Sequence, residues 1–396
     1  MFFDYEIEKK NISAYITEQV SCSSSDWQAL KKFYSDQEIK EYLTEVIKDK
    51  PFPLRRYLEL ETQEDWTKIK GATPTYTLGT WNAPRQSENI DLTYKGRSIY
   101  FTPSNKGQKV SNQFTQEQRM CCGYHNGNSP MVEWQHPNKP HSFLRCLFGI
   151  LKDEVKARGL NNSVLYRALK MHTYMASQFK PELALALYNF FGAKNILDFS
   201  AGWGDRLVGF LASNAESYIG IDPNTKLHEP YQQIVNFCHT NKKTRFICSP
   251  AEDADLSDVK VDFVFTSPPY FDIERYSEED TQSWKRYRNP QQWIKSFLFP
   301  TLTKCYEALE EGGRIAVNIA DKRGLDICSP MLKHMESLGA NYEGVLGYKM
   351  QKRNGIDLGL VFCEPIWVWS KGSATEPKWN QDTYFKVQSY KYLERI

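Results

Sequence analysis

Two short runs of this sequence hold residue types that could do chemistry together. The first is Ser267-Pro268-Pro269-Tyr270. A serine hydroxyl and a carbonyl held rigid by consecutive prolines make a pair of acceptors, because proline fixes φ at about −65°. Such a pair suits a planar amino group whose lone pair is conjugated into a ring. Accepting both of its hydrogens favours pyramidal nitrogen and aims the lone pair at an electrophile. Tyr270, with Phe271 and Asp272 after it, offers a face and edge for a base. The second run is Ala201-Gly202-Trp203-Gly204-Asp205. Its glycines let the backbone turn sharply and approach a ligand, and the helix that follows presents free amide groups.

Each run follows an apolar segment. Residues 195–200 read as a strand feeding the glycine turn, and 262–266 as a strand ending at Ser267. A third run ends Tyr218-Ile219-Gly220-Ile221-Asp222-Pro223, with a carboxylate where such folds hold the two hydroxyls of a ribose. Ligands of open α/β sheets bind beyond the carboxyl ends of the strands, so the three ends are expected side by side. A dinucleotide fingerprint places a third glycine in the helix, and position 207 is Leu. S-adenosylmethionine carries a sulfonium and an amino acid instead of phosphates, and Asp198 and Asp205 suit its cationic end. Taken singly, each run is also a plain turn. Their combination in one sheet favours the chemical reading.

Short β-rich runs at 195–200, 217–222, 244–249, 262–267 and 314–320 alternate with helical patterns, which predicts a parallel, doubly wound α/β sheet. Segments 342–349 and 365–370 predict an antiparallel closing pair. Helices are predicted over 163–178 and 182–191, and Asp26 to Leu30 reads as a capped helix start. At 396 residues the chain is long enough for two or three domains. The division expected is an α+β substrate-recognition or accessory domain at 1–160, the sheet domain at 161–373, and a polar, aromatic tail at 374–396.

Fifty basic against 48 acidic side chains leave a net charge of +2, so any surface for nucleic acid must be local. Residues 96–160 hold nine basic and four acidic side chains interleaved with aromatics, which reads equally as a recognition surface or an irregular domain face. Lys285, Arg286 and Arg288 are candidates for phosphate contacts. Nine irregularly spaced cysteines suit free thiols in a reducing compartment. Cys121, Cys122, His125, His136 and His141 have poor spacing for zinc, and no structural metal is expected. The first ten residues lack the apolar run of a signal peptide, and no stretch reaches the roughly 20 apolar residues of a membrane span. A soluble, cytoplasmic protein without membrane attachment is expected.

Asp198 to Gly204 resembles the cofactor motif of class I S-adenosylmethionine-dependent methyltransferases, and Ser267 to Tyr270 is similar to the catalytic motif of their amino-methyltransferases acting on nucleic-acid bases. The resemblance covers about residues 165–372. It implies a Rossmann-like domain with a mostly parallel seven-stranded sheet. It implies cofactor contacts from Lys180, Asp198, Ser200, Ala201, Gly202, Gly204, Asp205, Asp222, Pro223, Glu252 and Asp253, and a DNA partner ahead of RNA. A leading serine is commoner in the cytosine-N4 enzymes, whereas a cofactor motif placed first is commoner in the adenine-N6 enzymes, so both bases stay open. Alternatives are an RNA base (N2-guanine or N6-adenine), a protein glutamine amide, or an inactive nucleic-acid-binding module on the same fold. A nicotinamide oxidoreductase is disfavoured by Leu207.

Overall fold

The structure is a computed structural model that describes residues 11–83, 90–124, 127–136, 141–152, 159–322, 324–350 and 361–379. His125, Lys139, Lys156 and Arg158, and tail residues 380–396, lie outside the described residues. In chain order the strands are β1 (Tyr76–Leu78), β2 (Ile99–Phe101), β3 (Gly123–Tyr124), β4 (Asn195–Asp198), β5 (Ser217–Ile221), β6 (Lys243–Ile247), β7 (Val261–Thr266), β8 (Glu274–Arg275), β9 (Leu309–Asn318), β10 (Asn341–Lys349) and β11 (Cys363–Ser370).

The chain forms two compact units. One comprises residues 58–115, 178–271 and 279–396. The other comprises 1–57, 116–177 and 272–278. Residues 58–115, ahead of the expected boundary at 160, lie in the sheet unit, while 161–177 and 272–278 lie in the other.

In the sheet unit nine strands run in the order β1-β2-β10-β11-β9-β7-β4-β5-β6. Strands β4, β5, β6, β7 and β9 pair in parallel. Strand β11 is antiparallel to both β9 and β10, as the closing segments predicted. The Rossmann-like α/β expectation holds, and among the described residues the sheet has nine strands, two more than the seven the resemblance implies. The two extra strands, β1 and β2, are three residues each and carry too short an apolar alternation to announce themselves. They extend the β10 edge, where β2 pairs with β10 in parallel.

The central strands are near-continuous apolar runs because helices cover both faces of a parallel sheet. Phe263, Val264 and Phe265 of β7 and Ile315, Ala316 and Val317 of β9 are fully buried. Edge strand β6 instead carries Lys243 and Arg245, charges that blunt an open edge. Helix Pro181–Phe191 begins with proline at its first turn and ends on Gly192 in the left-handed region, as 182–191 predicted. The helix predicted over 163–178 stops at His172. Residues 173–180 run on without helix into Pro181, ahead of which helical backbone is disfavoured.

The second unit is mostly helical. Helices Ser24–Phe33 and Asp36–Lys48 start on Ser23 and Ser35, the latter in a capping box with Glu38. Its core includes Trp27, Leu30, Leu43, Trp134, Phe143 and Leu147. Most aromatics of the 96–160 stretch that lie in this unit are thus core. Arg119 is buried and donates to the Ala176 carbonyl. Strands β3 and β8 make a two-residue antiparallel ribbon, and the Tyr124 and Tyr174 rings stack at 4.7 Å.

Candidate active site

Strands β7, β4, β5 and β6 are consecutive neighbours and all parallel, so their carboxyl ends open on one edge of the sheet. Each delivers one predicted group: Ser267-Pro268-Pro269-Tyr270 after β7, the glycine turn after β4, Asp222 after β5, and Glu252-Asp253 in the loop after β6. With neighbouring strands about 4.8 Å apart, adjacent groups start within side-chain reach.

The glycine turn is fixed from several sides. Gly202 and Gly204 adopt φ of 58° and 76°, a region that other residues enter at a cost. A Cβ on Gly204 would also stand 2.8 Å from Ile234 Cδ1. Gly202 N donates to Asp222 Oδ2 at 2.8 Å, and Ala201 N to the Ile221 carbonyl at 2.9 Å. Ser111 donates through Oγ to Asp205 Oδ1, and Gln178 Nε2 reaches the same oxygen at 3.3 Å. Thr115 Oγ1 donates to the Trp203 carbonyl at 3.0 Å. Ser111, Thr115 and Gln178 were missed in the sequence because nothing in their spacing ties them to residues about 25 to 95 positions away. Position 207 needs no glycine because Gly209 makes the close approach, and it makes it to helix Pro181–Phe191.

The two buried acids differ in what their oxygens hold. Asp198 Oδ1 accepts from Ser200 N at 3.2 Å and Thr266 Oγ1 at 2.8 Å, and its Oδ2 from Arg206 Nε at 2.8 Å and Tyr218 OH at 2.7 Å. Four donors fill the capacity of a carboxylate. Its charge is matched by Arg206, and it ties the β7 end to the glycine turn. Asp222 accepts from Gly202 N and, at 2.9 Å, from Asn224 N, which leaves about two positions for ligand hydroxyls. Burial raises the Asp222 carboxyl from its ordinary value to about 6, with the same two backbone N–H groups pulling the other way. An amide-lined turn beside an acid with room for two hydroxyls fits the ribose and amino-acid parts of S-adenosylmethionine.

Lys180 caps helix Pro181–Phe191 with its ammonium on Asn105 Oδ1. Burial lowers its pKa. Arg206 lies over the Phe179 ring at 5.1 Å. Glu252 Oε1 accepts from Arg286 Nη1 and Tyr287 OH, each at 2.6 Å, and Arg286 also meets Asp253 Oδ2 at 2.8 Å. Burial raises the Glu252 pKa against the pull of Tyr287 and Arg286. Arg286 thus bridges the two carboxylates through Nη1. Glu279 accepts from Thr225, and Thr281 donates to the Pro223 carbonyl at 3.3 Å, so 279–287 straps the β5 and β6 ends.

Within Ser267-Pro268-Pro269-Tyr270, Pro268 and Tyr270 are buried, and Ser267 and Pro269 half-buried. Tyr270 OH donates to Glu364 on β11 and accepts from Ala320 N at 3.3 Å. Lys322 Nζ stands 3.9 Å from the Tyr270 ring centroid, so one face already carries a cation. Phe271 is buried with φ 57°, a strained conformation for a bulky side chain. Asp272 belongs to the helical unit. Among the described residues no group of three His, Cys, Asp or Glu side chains could hold a metal ion, and no helix is long and apolar enough to cross a membrane.

Residues 261–387 match the family model described as DNA methylase, beginning at the first residue of β7. No curated protein matches the sequence. Similar solved structures include a methyltransferase from Pyrococcus furiosus, at 14% identity over 49% of this chain and 84% of that one, with a TM-score of 0.34. Another is a putative RNA methyltransferase from Pyrococcus horikoshii, at 18% identity over 48% and 82%, with a TM-score of 0.32. A third is an rRNA methylase from Streptococcus thermophilus, at 13% identity over 50% and 100%, with a TM-score of 0.32.

Proposed function

We propose that this protein is a class I S-adenosylmethionine-dependent N-methyltransferase and that it methylates an exocyclic amino nitrogen of a DNA base, at N6 of adenine or N4 of cytosine. The observation that carries the reading is the 2.8 Å bond from Thr266 Oγ1 to Asp198 Oδ1. It ties the residue just before Ser267 to the residue that opens the glycine turn. The DNA methylase match over 261–387 supports the choice of DNA.

In this reading Asp222 receives the ribose hydroxyls. Lys180, Ser200, Ala201, Gly202, Gly204, Asp205 and Pro223 line the rest of the cofactor's path, and Glu252 and Asp253 lie toward its adenine. S-adenosylmethionine supplies a methyl group on a sulfonium, which leaves as a neutral thioether. Ser267 Oγ and the Pro268 carbonyl hold the two amino hydrogens. The surplus proton passes to solvent. No strong acid or base is required, because orientation can provide most of the acceleration. The base must leave its stack, or come from a single strand, to reach this edge.

The test is incubation of the protein with labelled cofactor and separate pools of DNA, RNA and protein, followed by mass spectrometry of the nucleosides. N6-methyladenine or N4-methylcytosine in DNA is the expected product. Label confined to RNA or to protein would refute the substrate. Tyr270→Ala should lower the rate about 5- to 150-fold, the worth of one stacked base.

A further inference from the structure

We propose that Gln282 reads the adenine of the cofactor, its side-chain amide accepting from the 6-amino group and donating to the ring nitrogen beside it. Gln282 is then the residue by which this site selects its cofactor through the base. The inference rests on the cofactor placement given above and deepens it; the nucleic-acid substrate does not enter.

Gln282 is only 5% exposed, yet its Nε2 is buried without a hydrogen-bond partner among the described residues. The backbone of the same residue is fully used. Its N–H donates to the Glu279 carbonyl at 3.1 Å, and its carbonyl accepts from Lys285 N at 3.0 Å and Arg286 N at 3.1 Å. The side chain makes no capping bond to the helix Ser283–Arg286 that follows. A buried donor left unpaired forfeits its hydration without return, so a side chain kept in that state calls for a partner that a ligand supplies.

The neighbours of Gln282 in the chain say which ligand. On one side Glu279 accepts from Thr225 N at 3.1 Å, and Thr281 Oγ1 donates to the Pro223 carbonyl at 3.3 Å, just past Asp222. On the other side Arg286 and Tyr287 hold Glu252, and Arg286 holds Asp253 as well. Residue 282 therefore lies on the span between the loop that receives the ribose and the loop toward the adenine. Glu252 Oε1 and Asp253 Oδ2 are taken up by that span, so the base needs polar partners beyond them. Adenine carries an amino donor beside a ring-nitrogen acceptor on either edge. A glutamine amide matches that pair with its two ends.

The experiment compares wild type and Gln282→Met in two measurements. One is the melting temperature without ligand. The other is calorimetry with S-adenosylhomocysteine and with its analogue that carries hydrogen in place of the 6-amino group. Methionine fills a similar volume and has no amide to pair, so the ligand-free variant should melt at the wild-type temperature or above it. S-adenosylhomocysteine should bind the variant about 5- to 150-fold more weakly, the worth of two hydrogen bonds. The analogue can make only one of the two and should lose less. Unchanged affinity for S-adenosylhomocysteine overturns the proposal, as does an equal loss for both ligands. A lower melting temperature of the ligand-free variant also overturns it, because the amide would then be paired, through water, within the fold itself. Failure of the cofactor placement shows in the wild type alone, which would then bind no S-adenosylhomocysteine, and it removes this proposal with it.

Discussion

A carboxylate offers about four lone-pair positions, and at Asp198 Ser200, Thr266, Arg206 and Tyr218 take all of them. Both members of the Asp198–Arg206 pair are buried, so removing one leaves a charge without compensation. Arg206→Met should cost about 3–5 kcal/mol in urea unfolding, and adding Asp198→Asn should recover part of that. Asp222 titrates near 6 where an ordinary Asp would titrate at 3.8. A raised folded pKa means that the folded carboxyl holds its proton longer, so its contribution to stability is present at low pH and lost as pH rises through about 6. Cofactor binding should run the other way, because ribose hydroxyls donate to the charged form. Affinity for S-adenosylmethionine measured by calorimetry should rise as pH passes about 6 and then level off. In Asp222→Asn the affinity should be weaker and the rise absent; a rise of equal size in the variant would sink the assignment.

Helix Asp205–Ala212 stands on the glycine turn and presses against helix Pro181–Phe191 at Gly209. Alanine usually stabilises a helix relative to glycine by about 1 kcal/mol. A Cβ at 209 would stand 2.6 Å from the Pro181 carbonyl oxygen, 2.7 Å from Ala184 Cβ and 3.0 Å from Leu185 N. Two of the three are backbone atoms that cannot swing aside. Overpacking of about 1–3 kcal/mol should therefore win, and Gly209→Ala should lower the melting temperature. Gly149 is the control. It lies inside helix Leu144–Leu151 with nothing within 4 Å of its would-be Cβ, so Gly149→Ala should leave the melting temperature unchanged or raise it.

The unit that carries the sheet is assembled from three stretches of chain, and each supplies something the site needs. Residues 58–115 bring β1, β2, Ser111 and Thr115, and 178–271 bring the glycine turn and the Ser267–Tyr270 run. Residues 279–396 bring the strap on Glu252, and Glu364 on Tyr270. A fragment beginning at residue 161 would expose the β10 edge and strip Ser111 and Thr115 from the turn. It should be far more susceptible to proteolysis than the full chain and bind S-adenosylmethionine at least about tenfold more weakly, the cost of roughly two such hydrogen bonds. Equal affinity in calorimetry would show that the N-terminal strands are dispensable.

The positions of β4, β5, β7, β9 and the β10–β11 pair, and the turn and motif between them, were legible because those signals are local. An apolar run of strand length, a glycine that must take positive φ and a pair of prolines act on their neighbours in the chain, whatever lies elsewhere. Strands β1 and β2 were not legible, since three residues carry no period. Nor was the saturation of Asp198 by Arg206, Tyr218 and Thr266, the Glu252–Arg286 pair, or Lys322 over Tyr270. These are matchings of charge and donor across gaps of up to about seventy residues. Such partners are chosen by which strand ends fold side by side, and composition alone leaves many equivalent candidates for each.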